Sequence, residues 1–144
     1  MKYCLMICTS LFAFCVGAQT TISPNLLVNK WTEAKIDSVG KVVQADMSLG
    51  GWSSLTINDN KTVIYAAAFD CGFGHSRNGT WVLNTKKKTL TFIFTEKVGF
   101  MNAPGTVAIK EKEVYTIERL SKTELVLKNK AKKKTLAFLH SENQ

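Results

Sequence analysis

The chain has 144 residues, 45% of them hydrophobic, 10% aromatic and 21% charged, with a formal net charge of +8. That length holds one globular domain, and so much apolar residue with so little proline excludes a disordered or low-complexity chain. The one long apolar run, Tyr3 to Val16, is too short to span a bilayer comfortably, which excludes a polytopic membrane protein.

That run has the length of a secretory signal core. Lys2 precedes it with a positive charge, and Val16, Gly17 and Ala18 supply the small residues a signal peptidase requires. Residues 1–18 are therefore expected to be a signal peptide. Residues 19–144 form the mature domain, secreted or periplasmic. Cys4, Cys8 and Cys15 leave with the signal, so Cys71 is the one remaining thiol and no internal disulfide is expected. Cys71 is either a buried small hydrophobe or a free thiol able to pair between chains.

Along the mature chain, short segments rich in β-branched and aromatic residues alternate with turn signals, and no helical period persists. Eight strands are expected: Leu26–Ile36, Trp52–Ile57, Thr62–Phe69, Thr80–Leu83, Thr89–Thr95, Val114–Leu120, Glu124–Lys128 and Thr135–Leu139. Leu90, Phe92 and Phe94 alternate with Thr91 and Thr95, and Tyr115 and Ile117 with Thr116 and Glu118. Period two with one wet face predicts an antiparallel sheet.

The connections alternate as well. Asn58–Lys61, Asn84–Lys88 and Ser121–Thr123 read as tight polar turns, while Asp37–Gly51, Asp70–Gly79 and Lys97–Glu113 read as long loops. In an up-and-down meander, every second connection lies at the same end. The long loops therefore gather at one end and the tight turns at the other. This describes an all-β, eight-stranded antiparallel up-and-down barrel with a mouth. An open two-layer sandwich is the alternative, since periodicity does not show whether the first and last strands pair. Lysines cluster at Lys86 to Lys88, at Lys110 and Lys112, and between Lys128 and Lys134, in or beside turns. They read as a solvated surface that guards against aggregation, with attraction to an acidic polymer as the lesser reading.

Several segments resemble the secreted lipocalin-like domains common in Bacteroidetes. They are Leu26 to Trp31 in the first strand, Leu55 to Asn60 closing the second, Gly79-Thr80-Trp81 opening the fourth, and Tyr115 to Leu127 across the sixth and seventh. The resemblance covers nearly all of the mature chain and implies a lipocalin-like barrel with Trp31 plugging its floor. The chain departs from the lipocalin pattern twice. Asn29 stands where glycine precedes the tryptophan, and His140 stands near the position of the arginine that packs over it. The resemblance implies a fold; it names no ligand.

The inward set expected to line a pocket is Tyr65, Ala67, Phe69, Trp81, Phe92, Phe94, Tyr115, Ile117 and Phe138. Two phenols among aromatics suit a ligand with an apolar body and a few polar atoms; equally, the same side chains fill the core of a small barrel. Phe73, His75, Arg77, Phe100 and Met101 fall in the mouth loops, with Ala103 and Pro104 beside them. Glu33 shares the parity of Trp31, so either it enters the barrel, with Arg119 as a possible partner, or a bulge turns it out. The bulge is the expectation, because an unpaired buried carboxylate is costly.

Catalytic signals are sparse. Cys71 and His75, with Asp70, sit in a glycine-rich loop, but nothing fixes a nucleophile geometry there. The mature histidines, His75 and His140, lack the spacing of a zinc site, so neither metal nor cofactor is expected. No exposed face interleaves aromatic with basic residues as a nucleic-acid binder needs. The expectation is a non-catalytic binder of a small, largely apolar ligand through the open end. The alternative is a filled-barrel interaction module that holds a protein or anionic surface polymer by its mouth loops and lysines.

Overall fold

The structure, a computed structural model, describes residues 22–46, 50–69, 72–101 and 104–141. The expected signal peptide, Asp70, Cys71 and Ala103 lie outside these residues. A single helical turn, α1 (Pro24–Leu27), replaces the expected start of the first strand, with Pro24 at the position where its missing N–H costs nothing. Nine strands follow: β1 (Asn29–Ile36), β2 (Val42–Gln44), β3 (Trp52–Ile57), β4 (Thr62–Phe69), β5 (Phe73–Asn84), β6 (Thr89–Met101), β7 (Gly105–Leu120), β8 (Glu124–Asn129) and β9 (Lys134–His140).

The strands form one antiparallel sheet in the order β2-β1-β3-β4-β5-β6-β7-β8-β9, closed by a further pairing of β1 with β9. This is an eight-stranded barrel with β2 added outside the closed circuit. The β1–β9 pairing excludes the open sandwich. The register of β1 runs unbroken from Trp31 opposite His140 to Glu33 opposite Phe138. Glu33 therefore shares the inward face with Trp31, and the expected bulge is absent. The register shifts lie elsewhere, at Asn78–Gly79, Phe94–Glu96 and Ile117–Arg119. Ala34, on the other parity, faces outward and packs with Val42, Val126 and Ala137. β2 thus covers a small outer apolar patch that the barrel alone would leave wet.

The main core fills the lower half of the barrel. Trp31, Trp81, Phe94, Phe138, Leu55, Ile57, Leu90, Leu125 and Leu127 are all almost fully buried. Each indole also finds an acceptor, as buried tryptophan requires. Trp31 Nε1 donates to the Leu27 carbonyl at 3.0 Å, tying α1 across the floor. Trp81 Nε1 donates to the Asn58 carbonyl at 2.9 Å, and the Lys61 ammonium lies 3.9 Å above its ring. The two departures from the lipocalin pattern meet each other. His140 Nε2 and Asn29 Oδ1 are 2.7 Å apart, and the imidazole stands edge-on to Trp31 with centroids 6.0 Å apart.

The expected long loops Asp70–Gly79 and Lys97–Glu113 prove to be mostly strand. β5, β6 and β7 run 12, 13 and 16 residues and rise beyond the barrel as a lip. The reason is physical: residues 105–112 are wet on both faces apart from a half-buried Ile109, so no hydrophobic alternation marks them as strand. Gly79, at the base of the lip, permits a close strand approach. A methyl there would collide with the Ile93 carbonyl oxygen and stand 2.7 Å from Phe94 Cα. Gly79→Ala is expected to lower unfolding free energy by about 2 kcal/mol, as overpacking does. Urea denaturation checks this; an unchanged midpoint would mean that the strands part freely here.

Candidate functional site at the barrel mouth

The expected pocket residues divide in two. Trp81, Phe92, Phe94, Tyr115, Ile117 and Phe138 belong to the packed core, with Tyr65 against it. Phe92 lies 5.9 Å from Phe94 and 5.6 Å from Tyr115 between ring centroids. Ala67 is buried beside them, whereas Phe69 leaves the core and is 46% exposed at the rim. Ile117 also borders a groove of about 390 Å³ at the opposite, tight end, together with Ile22, Leu26 and Arg119.

Above the apolar core lies a layer of charge. Stepping back by twos from Tyr115 along β7 places Glu113 and Glu111 on the inward face, where they meet Arg77 of β5. Arg77 Nη1 donates to Glu111 Oε2 at 2.8 Å and to Glu113 Oε1 at 3.3 Å. Lys132, from the β8–β9 turn, reaches in to Glu113 at 2.6 Å, and the Tyr115 hydroxyl donates to the other oxygen of that carboxylate at 2.7 Å. Glu113 is only 6% exposed, so these partners have to replace its water. They do. Burial pulls its pKa upward, but Lys132, Tyr115 and Arg77 outweigh that and bring it down to about 2. Burial and then the Glu113 carboxylate push the Tyr115 phenol up. Burial also opposes charge on Arg77, yet its two carboxylates overcome this and raise its pKa.

Arg77 is held by aromatic faces as well, 4.3 Å from the Phe94 centroid and 5.0 Å from Tyr65. Tyr65 in turn joins a second chain of polar groups. Its hydroxyl donates to Ser53 Oγ at 3.2 Å, and Ser53 donates to Glu33 Oε2 at 2.5 Å. Glu33 thus satisfies itself on a serine at the wet end of the barrel. Arg119 pairs with Glu124 at 3.7 Å instead. Sequence reasoning missed Glu111, Glu113, Lys132 and Ser53. Their signal was the alternation Lys110-Glu111-Lys112-Glu113, which continues the inward parity of Tyr115 once β7 is allowed to be long.

The lip adds an apolar concavity of about 350 Å³, lined by Phe69, Phe73, His75, Lys97, Pro104 and Val107, with Gly74, Gly99 and Gly105 leaving room between them. Phe73 is 48% exposed, and the His75 ring leans on Phe69 with centroids 6.2 Å apart. Burial, then the charges of Lys97 and Arg77, lower the His75 pKa against a smaller opposing pull from Glu111. Of the other mouth candidates, the Phe100 ring lies over Gly74 on the outer face, and Met101 pairs through its backbone with Phe73. Cys71, the partner in a thiol–imidazole reading of His75, lies outside the described residues. Among the described residues, no three His, Cys, Asp or Glu converge as metal ligands, and no helix is long and apolar enough to cross a membrane.

The depressed Glu113 pKa has a definite sign. The folded state holds this carboxylate ionised more tightly than the unfolded chain, so its contribution is complete above pH 4.5 and is lost as pH falls towards about 2. That contribution is on the order of 3 kcal/mol. Glu113→Gln is expected to flatten the acid limb of stability against pH, read from denaturant midpoints. An acid limb identical to that of the unmodified chain would remove Glu113 as its cause.

No family model matches the chain, and no curated protein matches it in sequence.

Proposed function

We propose that this chain is a secreted, lipocalin-like, non-catalytic binder of a small molecule with a largely apolar body, held at the open end of the barrel. The observation that carries the reading is the lip concavity. Its volume of about 350 Å³ lies within the range of small-molecule sites, and exposed Phe69, Phe73 and Val107 wall it. Below it, the paired charges of Arg77, Glu111 and Glu113 close the barrel and make a rigid floor. The ligand therefore rests on the lip, above the calyx interior. Saturated charge pairs support binding over catalysis.

The packed interior favours a second reading, the filled-barrel interaction module that grips a protein or anionic polymer with the rim and its lysines. Two measurements separate the readings. Native mass spectrometry of the protein from its own host is expected to show a non-covalent adduct of a few hundred daltons that denaturation removes. The neutral fluorophore N-phenylnaphthylamine is expected to bind, and Phe73→Ser to weaken it about tenfold, the loss of roughly half a buried phenyl ring. A bare mass together with no fluorophore binding would overturn the small-molecule reading in favour of the interaction module.

A further inference from the structure

We propose that the ligand of the lip is a free amphipathic anion, its apolar body lying on Phe69, Phe73 and Val107 and its carboxylate or sulfonate between Lys97 and His75. This rests on the reading that the lip binds a small molecule, and it adds the charge that the ligand carries.

The inward-facing charges of the mouth are otherwise matched. Arg77 has Glu111 and Glu113, Lys132 has Glu113, and Glu33 has Ser53. Lys97 lines the cleft and has no ion pair among the described residues. Its cross-strand neighbours sharpen the point: on β5 it faces Arg77, a like charge, and on β7 it faces Val107. Like charges directly opposite each other destabilise a sheet, so folding alone gains nothing from a lysine here. An anion in the cleft converts that repulsion into two attractions.

His75 lies on the same inward face, one inward step from Arg77 and diagonal to Lys97. The groups facing it are Lys97 on β6, Arg77 on its own strand and Glu111 on β7, and their sum disfavours its proton. A bound anion opposes that field, so the imidazole takes up a proton more readily and becomes a second cation against the ligand. Gly99 completes the arrangement. It sits opposite both His75 and Gly105, so the centre of the cleft has no side chains and stays open.

The test uses two probes that differ by one sulfonate group, anilinonaphthalene sulfonate and its neutral parent N-phenylnaphthylamine, titrated into the full mature protein by fluorescence and calorimetry. The sulfonate is expected to bind about fivefold more tightly at low salt, the scale of a partly exposed ion pair. That preference, read as the ratio of the two probes' affinities, should shrink in salt and vanish in Lys97→Gln. Gly99→Val is expected to weaken both probes by filling the cleft. The His75 ring protons, followed by NMR, should titrate at higher pH with the sulfonate present and not with the neutral parent. Equal affinities in the unmodified protein, or a preference that survives Lys97→Gln, would overturn the anion assignment and leave the small-molecule reading standing. Failure of both probes would overturn the small-molecule reading itself, and the anion assignment with it. Lys97-dependent capture on anionic phospholipid vesicles without sulfonate binding would overturn the free-anion assignment in favour of a membrane surface.

Discussion

Trp31 and Thr32 use both backbone edges of β1 at once, towards Leu55 and Ser54 of β3 on one side and towards His140 and Leu139 of β9 on the other. Everything else depends on this double pairing. It joins the first strand to the last, removes the sheet edges along the closed circuit, and sets which side chains look inward. A slip of one residue would bring Thr32 inside in place of Trp31 and Ala34 in place of Glu33. The interlocked floor groups, Leu27 with Trp31 and Asn29 with His140, hold that register from both strands.

Within the closed barrel, the gradient from oil to charge follows solvent access. At the tight end, the buried polar atoms find partners at close range: the indoles on backbone carbonyls, and Asn29 with His140. Higher up, Arg77 and Glu113 are dry enough for Coulomb attraction to be strong, an exposed Lys132 reaches in to the same carboxylate, and Phe94 and Tyr65 cover the guanidinium faces. Such pairs seldom stabilise more than apolar packing of the same volume would. Their geometric demand is strict, however. Carboxylates from β7, a guanidinium from β5 and an ammonium from the β8–β9 turn have to converge within hydrogen-bonding distance, which fixes these elements relative to one another.

Legibility in the sequence followed the wetness of each strand face. β3 and β4 read to the residue, because residues of high strand propensity fill both and the polar turn Asn58–Lys61 joins them. β2 did not read at all: three residues that cover an outer patch of Ala34, Val126 and Ala137 carry no period of their own. The lip portions of β5, β6 and β7 looked like loops because glycine, serine and alternating lysine and glutamate are what a strand wet on both faces tolerates. The charge network was hidden by the same misreading, since Glu111 and Glu113 acquire an inward direction only when β7 extends past Val114. Glu33 was visible by parity. The expected bulge is absent because Glu33, inward by parity, stays exposed at the wet end of the barrel, where Ser53 donates to it.

The unequal strand lengths have a mechanical consequence. β7 pairs with β8 only from Thr116 onward, so the backbone of the eleven strand residues before it is joined to the sheet on one side alone, by the ladder to β6. Along that free side the ribbon can splay without breaking a backbone bond in the closed circuit below. The lip is therefore a region of low opening energy mounted on one of high opening energy. The ribbon can bend while the barrel, with its indoles and buried charges, stays shut.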